Sequence, residues 1–270
     1  MHEGAEMSDG TFTTADGCRI AYTVHPAPGK PRLALIHSLA LDRSVWKGVV
    51  QELAGRAEIV AYDCRGHGRS GRAPGPYTCE LFARDLAELL AHLQWKSVVV
   101  AGCSMGGCIA QAFAGLYSQR TQGVCLIDTT AWYGADAPGQ WRERAATGRA
   151  RGLAALIDFQ VTRWFSDGFR AARPDAVEPL KQIFLANDID CYEATCEMLG
   201  TADLRPLLPA IQSPVAIVVG DEDYATTVDM ARALNQSLPR STLTVLKGAR
   251  HITPVERPQE IAKQIAGLLN

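Results

Sequence analysis

Val98-Val-Val-Ala-Gly-Cys-Ser-Met-Gly-Gly107, running on into an apolar helical pattern over residues 108–117, is the stretch on which the reading of this chain turns. A valine-rich strand meets Gly102-x-Ser104-x-Gly106, and a helix follows. In such a strand–turn–helix the central serine sits in a tight, strained elbow, and glycines two residues to either side let backbone approach without a Cβ clash. The turn thrusts the hydroxyl out beyond the carboxyl ends of the strands, where open α/β sheets place their sites. Ser104 is therefore the expected nucleophile.

Outward from the elbow, short β-branched runs recur at residues 32–36, 58–62, 123–127, 214–219 and 242–246, beside the run at 97–101. They read as buried parallel strands. Helical patterns lie between several of them, as where Leu81, Phe82, Leu86, Leu89, Leu90 and Leu93 form one apolar stripe, so the order is β-α-β-α. Residues 11–14 and 19–24 alternate around Asp16-Gly17 as an antiparallel opening hairpin. The expected fold class is α/β: a mostly parallel eight-stranded sheet with helices on both faces. Between about residues 131 and 210 strand signals vanish and helical stretches rich in Arg, Ala and Trp follow one another. This predicts an inserted helical cap over 132–208, with the sheet domain formed by 1–131 and 209–270. The last helix is expected in one piece over 255–268, with Pro258 in its first turn.

The 270 residues are 47% hydrophobic and 21% charged, with a formal charge of −2, which removes any broad electrostatic case for nucleic acid. A small-molecule ligand is expected. No apolar run approaches the ~18 to 20 residues that cross a bilayer, and residues 1–10 have neither a basic nor an apolar leader region, so no membrane partner and a cytoplasmic location are expected. The eight cysteines sit inside strand and helix patterns, and Cys103/Cys108 and Cys191/Cys196 are spaced too widely for the usual metal pairs. Reduced, buried thiols and no metal follow.

A serine hydroxyl needs a general base within ~3 Å. His251 stands in Gly248-Ala-Arg-His-Ile-Thr-Pro254, after the last strand and on the same sheet edge as Ser104, whereas His2, His25 and His92 fall at a terminus, before a proline and on a helix. An orienting carboxylate is required between serine and histidine in chain order. Asp223, in Gly220-Asp-Glu-Asp223 just beyond a strand, is preferred because the chain needs two residues to turn toward the site. Asp221 and, at the end of the preceding strand, Asp128 are the alternatives. The oxyanion needs two backbone N–H donors. Met105 supplies one and Leu39, in the loop Ile36-His-Ser-Leu-Ala40, the other, with His37 shaping that loop and Ser38 a candidate substrate contact. The run Tyr62-Asp-Cys-Arg-Gly-His-Gly-Arg-Ser70 reads as a structural turn held by Asp63 and Arg65, and it lacks the G-K-[ST] of a phosphate loop. Trp132, Trp141 and Trp164 either line a pocket or pack helices.

With these residues in place the chain resembles the α/β-hydrolase family along nearly its whole length. Within it the chain is similar to the 3-oxoadipate enol-lactonase group, through His37-Ser-Leu-Ala-Leu-Asp-Arg-Ser-Val-Trp46, the 62–70 run, Pro74-Gly-Pro-Tyr77, Gly102-Cys-Ser-Met-Gly-Gly107, Arg163-Trp-Phe165, Ala202-Asp-Leu-Arg205 and Gly220-Asp-Glu-Asp223. That resemblance implies a cofactor-free hydrolysis of a five-membered enol-lactone in aromatic-acid catabolism, by a serine, aspartate and histidine falling on Ser104, Asp223 and His251. It also implies that Trp141 reaches toward substrate from the cap. The chain departs from the group's pattern at His37-Ser-Leu-Ala40 (Asn-Ser-Leu-Gly), Ala225-Thr-Thr227 (Ala-Thr-Pro) and His251-Ile-Thr-Pro254 (His-Leu-Ser-Asn). The same three side chains would serve a general carboxylesterase, a carbon–carbon hydrolase of ring-cleavage products or a cofactor-free perhydrolase, and a non-catalytic ligand receptor is the alternative from another class. The partner is a small ester or lactone, and the sequence leaves a homodimer open.

Overall fold

The opening hairpin sets one edge of the sheet. In the computed structural model, which describes residues 7–269, β1 (Ser8–Thr13) pairs antiparallel with β2 (Arg19–His25), and Gly17, at φ 87°, takes the left-handed turn position that a side chain would strain. His2 lies outside the described residues. The first strand begins at Ser8 rather than at 11 because its outer positions face solvent, which leaves no apolar alternation to mark the start.

Six further strands complete the sheet: β3 (Arg32–Ile36), β4 (Glu58–Tyr62), β5 (Val98–Cys103), β6 (Thr121–Ile127), β7 (Val215–Gly220) and β8 (Ser241–Leu246). Their order is β1-β2-β4-β3-β5-β6-β7-β8, with β3 to β8 all parallel. β5 and β7 are buried at every residue, which is why they read as unbroken apolar runs. From β3 the chain leaves toward β4 on one side and returns to β5 on the other. The crevice between the loops after β3 and β5 is thus the switch point where such sheets bind ligands.

Outside the sheet, α1 (Lys47–Glu52) packs against the C-terminal α11 (Pro258–Ala266), and α2 (Cys79–His92) against α3 (Met105–Leu116). Thr78 caps α2 by accepting the Leu81 N–H at 3.0 Å, and Phe82, Leu86, Leu89 and Leu90 are its buried stripe. α9 (Val228–Ser237) lies between β7 and β8. The single final helix expected over 255–268 is two helices, α10 (Thr253–Glu256) and α11. They break at Arg257 (φ −138°, ψ 56°) because the ring of Pro258 bars the preceding residue from helical geometry.

Between β6 and β7 the chain forms α4 (Ala137–Arg151), α5 (Ile157–Trp164), α6 (Asp167–Ala172), α7 (Pro174–Leu185) and α8 (Ile189–Thr201), and then a 3₁₀ turn at Arg205–Ala210. α4 packs on α8 and α5 on α7. A bridge between Trp132 and Asp203, with the Leu204 N–H on the Ala131 carbonyl at 2.8 Å, ties the outgoing and returning strands of this excursion together. All eight cysteines are free and buried, and burial pushes every one of these thiols up. Among the described residues no helix is long and apolar enough to cross a membrane.

Candidate active site

The elbow after β5 is built by close approaches that only glycine permits. A Cβ on Gly102 would lie 2.0 Å from the Gly106 carbonyl oxygen, and one on Gly106 would lie 2.1 Å from that of Ile36. Ser104 sits between them at φ 55°, ψ −114°, a conformation L-residues rarely adopt, and as the residue preceding α3 it makes no side-chain cap. Its backbone is pinned instead by the Ile127 carbonyl (2.9 Å from Ser104 N) and by the Thr129 hydroxyl donating to the Ser104 carbonyl at 2.8 Å.

The hydroxyl so presented meets His251. Ser104 Oγ lies 2.9 Å from His251 Nε2, and His251 Nδ1 lies 2.7 Å from Asp223 Oδ2. A carboxylate only accepts, so Nδ1 carries the proton and Nε2 is left free to take one from the serine. All three side chains are buried. Asp223 also accepts from the N–H groups of Ala225 (2.7 Å) and Thr226 (3.0 Å) and from the Thr226 hydroxyl (2.9 Å). Burial alone raises the Asp223 carboxyl. The adjacent imidazole, its hydrogen bond and the two backbone donors outweigh that and hold it below the usual carboxylate range. Thr226 is a member of this row that the sequence reading missed; a hydroxyl three residues past an aspartate carries no signal until the turn folds.

The other acids are placed elsewhere. Asp221 accepts the Gly248 N–H at 2.7 Å and fastens the loop after β8. Asp128 is wholly buried and receives Thr253 N (2.9 Å), the Thr253 hydroxyl (2.7 Å) and Gly220 N (3.3 Å). Burial, and then the nearby Asp223 charge, push its carboxyl well up despite those donors. Two neighbouring carboxyls are thereby driven apart, Asp223 toward the charged form and Asp128 toward the neutral one.

On the facing side, the loop after β3 brings Leu39 and Ser38 to the same chamber as Ser104. Among the described residues neither the Leu39 nor the Met105 backbone N–H has an acceptor. His37, standing where the resembling pattern has asparagine, is fixed by its Nδ1–H on the Ser38 carbonyl (2.7 Å) and by Nε2 accepting the Cys64 N–H (2.9 Å). Burial lowers it to about 4, so it is a neutral brace of the loop. Ala40 occupies the glycine position of that pattern at φ 56°. The 62–70 turn is held by Asp63, which accepts the Arg43 and Arg69 N–H groups, and by Arg65 in a two-point bond to Asp85.

Trp141, Arg144, Gln160, Arg163 and Trp164 close the chamber from above, leaving about 20 Å³ beside Ser104. Tyr133, Trp141, Arg144 and Arg163 also line an outer cleft of about 620 Å³, so the two spaces share these walls. Trp132 does not join them. Its ring lies under the Arg205 guanidinium (4.0 Å) in a neighbouring depression against α9, which shares Tyr133 and Met230 with the outer cleft. The sequence reading also missed two arginines. Arg163 has no hydrogen-bond or ion-pair partner among the described residues, and burial followed by the charge of Arg144 lowers it. Arg144 bonds the Tyr192 hydroxyl (2.8 Å) and stacks on Trp141 (4.9 Å), again without a carboxylate. Gln160 is buried with its Oε1 unpartnered.

Comparison with known proteins agrees with this architecture. The family described as alpha/beta hydrolase fold matches residues 31–258, and the chain belongs to it. It is a hydrolase of that fold. Within the family it is similar to 3-oxoadipate enol-lactonase 2 of Acinetobacter baylyi, at 34% identity over 91% of either chain. Among solved structures it superposes on the enol-lactonase of Burkholderia xenovorans LB400 with a TM-score of 0.91, at 30% identity over 96% of this chain and 99% of that one. A thermophilic esterase from Thermogutta terrifontis gives 0.87 at 28% identity, covering 98% of this chain and 100% of that one.

Proposed function

We propose that this protein hydrolyses a carboxylic ester or lactone through an acyl-enzyme on Ser104, and that its substrate is a small lactone bearing a free carboxylate, with 3-oxoadipate enol-lactone the specific candidate. The observation that carries the reading is the Ser104–His251–Asp223 row opening into a chamber roofed by Arg144 and Arg163, which have no carboxylate partner. Two half-buried cations without counter-ions favour an anionic guest, and an arginine matches a carboxylate in geometry as well as charge. The similarity to enol-lactonases points to the same substrate class.

The steps follow from the atoms present. Ser104 Oγ attacks the lactone carbonyl as His251 Nε2 takes its proton, and the imidazolium that forms is stabilised by Asp223. The oxyanion is received by the Leu39 and Met105 N–H groups, each worth about 3 to 4 kcal/mol in such sites. His251 then protonates the ring oxygen as the C–O bond breaks. In a lactone the released enol stays tethered to the acyl group, so nothing need leave the chamber before a water, deprotonated by His251, cleaves the ester to Ser104.

Hydrolysis of 3-oxoadipate enol-lactone should be compared with that of short neutral esters, for the wild type, Ser104→Ala and Arg163→Met. The lactone is expected to be turned over far faster than the esters, and Ser104→Ala to be inactive. Arg163→Met should lose about 10- to 100-fold in kcat/KM on the lactone, the worth of a hydrogen bond to a charged group, while neutral esters change little. Faster turnover of neutral esters would reduce the assignment to a general carboxylesterase, and an active Ser104→Ala would remove the acyl-enzyme.

A further inference from the structure

The residue before the base makes contacts that the chemistry above does not use. Arg250 Nη1 donates to the carbonyls of Thr162 (2.8 Å) and Phe165 (3.1 Å) at the end of α5 and to Asp167 Oδ1 (3.2 Å) at the start of α6. Its Nη2 donates to Glu222 Oε2 at 2.9 Å, one residue from Asp223. The next two backbone amides, His251 and Ile252, both donate to the Trp164 carbonyl at 3.0 Å. Glu256, also buried, bridges the same parts: Oε2 accepts the Arg250 N–H (2.9 Å), and Oε1 accepts the Ser166 N–H (3.3 Å) and the Ser166 hydroxyl.

The last carbonyls of a helix lack intrahelical donors, and the negative end of its dipole favours a cation. The end of α5 meets that need with the loop that carries the base. A planar guanidinium can serve carbonyls on one side and a carboxylate on the other, which an ammonium cannot do from one position. Trp164, whose carbonyl holds His251, also walls the chamber around Ser104. One corner of the helical cover therefore both closes the chamber and sets the base.

We propose that Arg250 is a positioning residue: it clamps the α5–α6 corner to the His251 and Asp223 loops, so that His251 reaches Ser104 at hydrogen-bond distance only when that corner is seated. The inference rests on His251 being the base.

The test compares full-length wild type, Arg250→Met, Arg250→Ala and Arg250→Lys for the rate at which a fluorophosphonate labels Ser104, and for kcat and KM on whichever ester or lactone the wild type turns over. Arg250→Met is expected to label to full stoichiometry but about 10- to 100-fold more slowly, the scale of a base displaced by about 1 Å. Its kcat should fall in parallel with KM little changed, and in Arg250→Ala, whose truncated side chain leaves room for the probe, added ethylguanidinium, but not ethylammonium, should restore part of the rate. Arg250→Lys keeps the charge, and carries the test should the methionine variant not fold; it is expected to stay several-fold below wild type. Wild-type labelling and kcat in any variant, a loss confined to KM, or a loss in Arg250→Ala that ethylguanidinium leaves untouched would overturn the clamp. Absence of labelling in the wild type would instead defeat the acyl-transfer reading beneath it.

Discussion

Replacing Ser104 by glycine should stabilise the fold relative to replacing it by alanine, reversing the usual order of those two residues. At an ordinary position glycine is less stable than alanine by about 0.5 to 1 kcal/mol, because the unfolded chain gains freedom. Ser104 sits at φ 55°, ψ −114°, where a side-chain-bearing residue is strained by about 1 to 3 kcal/mol. Both substitutions lose the bond to His251 Nε2 equally, and no helix cap is lost in either, because the serine side chain makes none. The difference is then about 2 kcal/mol of strain released against about 1 kcal/mol of chain entropy, leaving the glycine variant ahead by about 1 kcal/mol. For a chain of this size that is a rise of roughly 2 to 4 °C in Tm. Calorimetry of the two variants at one pH reads it directly, with no dependence on substrate. A glycine variant melting below the alanine variant would refute the claim that the elbow stores strain.

The two buried acids should separate cleanly in kinetics. Asp223→Asn is expected to lower kcat by about 10,000-fold by fixing the wrong tautomer of His251, whereas Asp128→Asn, on an acid already biased to its neutral form, should stay within about tenfold of wild type, the scale of 1.4 kcal/mol; the reverse order would move the orienting role to Asp128. The buried histidines should also lower stability on acidification. Burial holds His37 at about 4 and His67 at about 3, against 6.5 for a free imidazole. Between those values and 6.5 the unfolded chain binds more protons than the folded one, so this stabilisation is complete above about pH 6.5 and is lost as the pH falls toward 4, by about 3 kcal/mol from His37 alone. Urea midpoints from pH 7 to pH 4.5 check it, and a flat profile would contradict neutral burial.

The elbow and the inner strands are legible in the chain because their constraints are local. β5 must be apolar on both faces, and Gly102 and Gly106 face backbone at distances no side chain allows. The chain order of Ser104, Asp223 and His251 is legible for the same reason: each follows a recognisable strand. The choice between Asp223 and Asp128 is not local, since it depends on where Thr253 and Gly220 donate after folding. The roof of the chamber is hidden too. α4 is polar over most of its length yet buries Trp141, and Arg144 and Arg163 look like surface residues until α4 and α5 fold over Ser104. Trp132 shows the converse, an aromatic that lies under Arg205 outside the chamber, a placement that no periodicity announces.

The eight buried thiols amount to a built-in clock. A thiol reacts as the thiolate, and here burial suppresses that form at every cysteine, so a thiol reagent registers a residue only during an opening that exposes it. Cys103, Cys108 and Cys125 lie in β5, α3 and β6, whereas Cys191 and Cys196 lie on α8. The order in which these two groups are modified would record, on the unmutated protein, whether the helical cover breathes separately from the sheet beneath it.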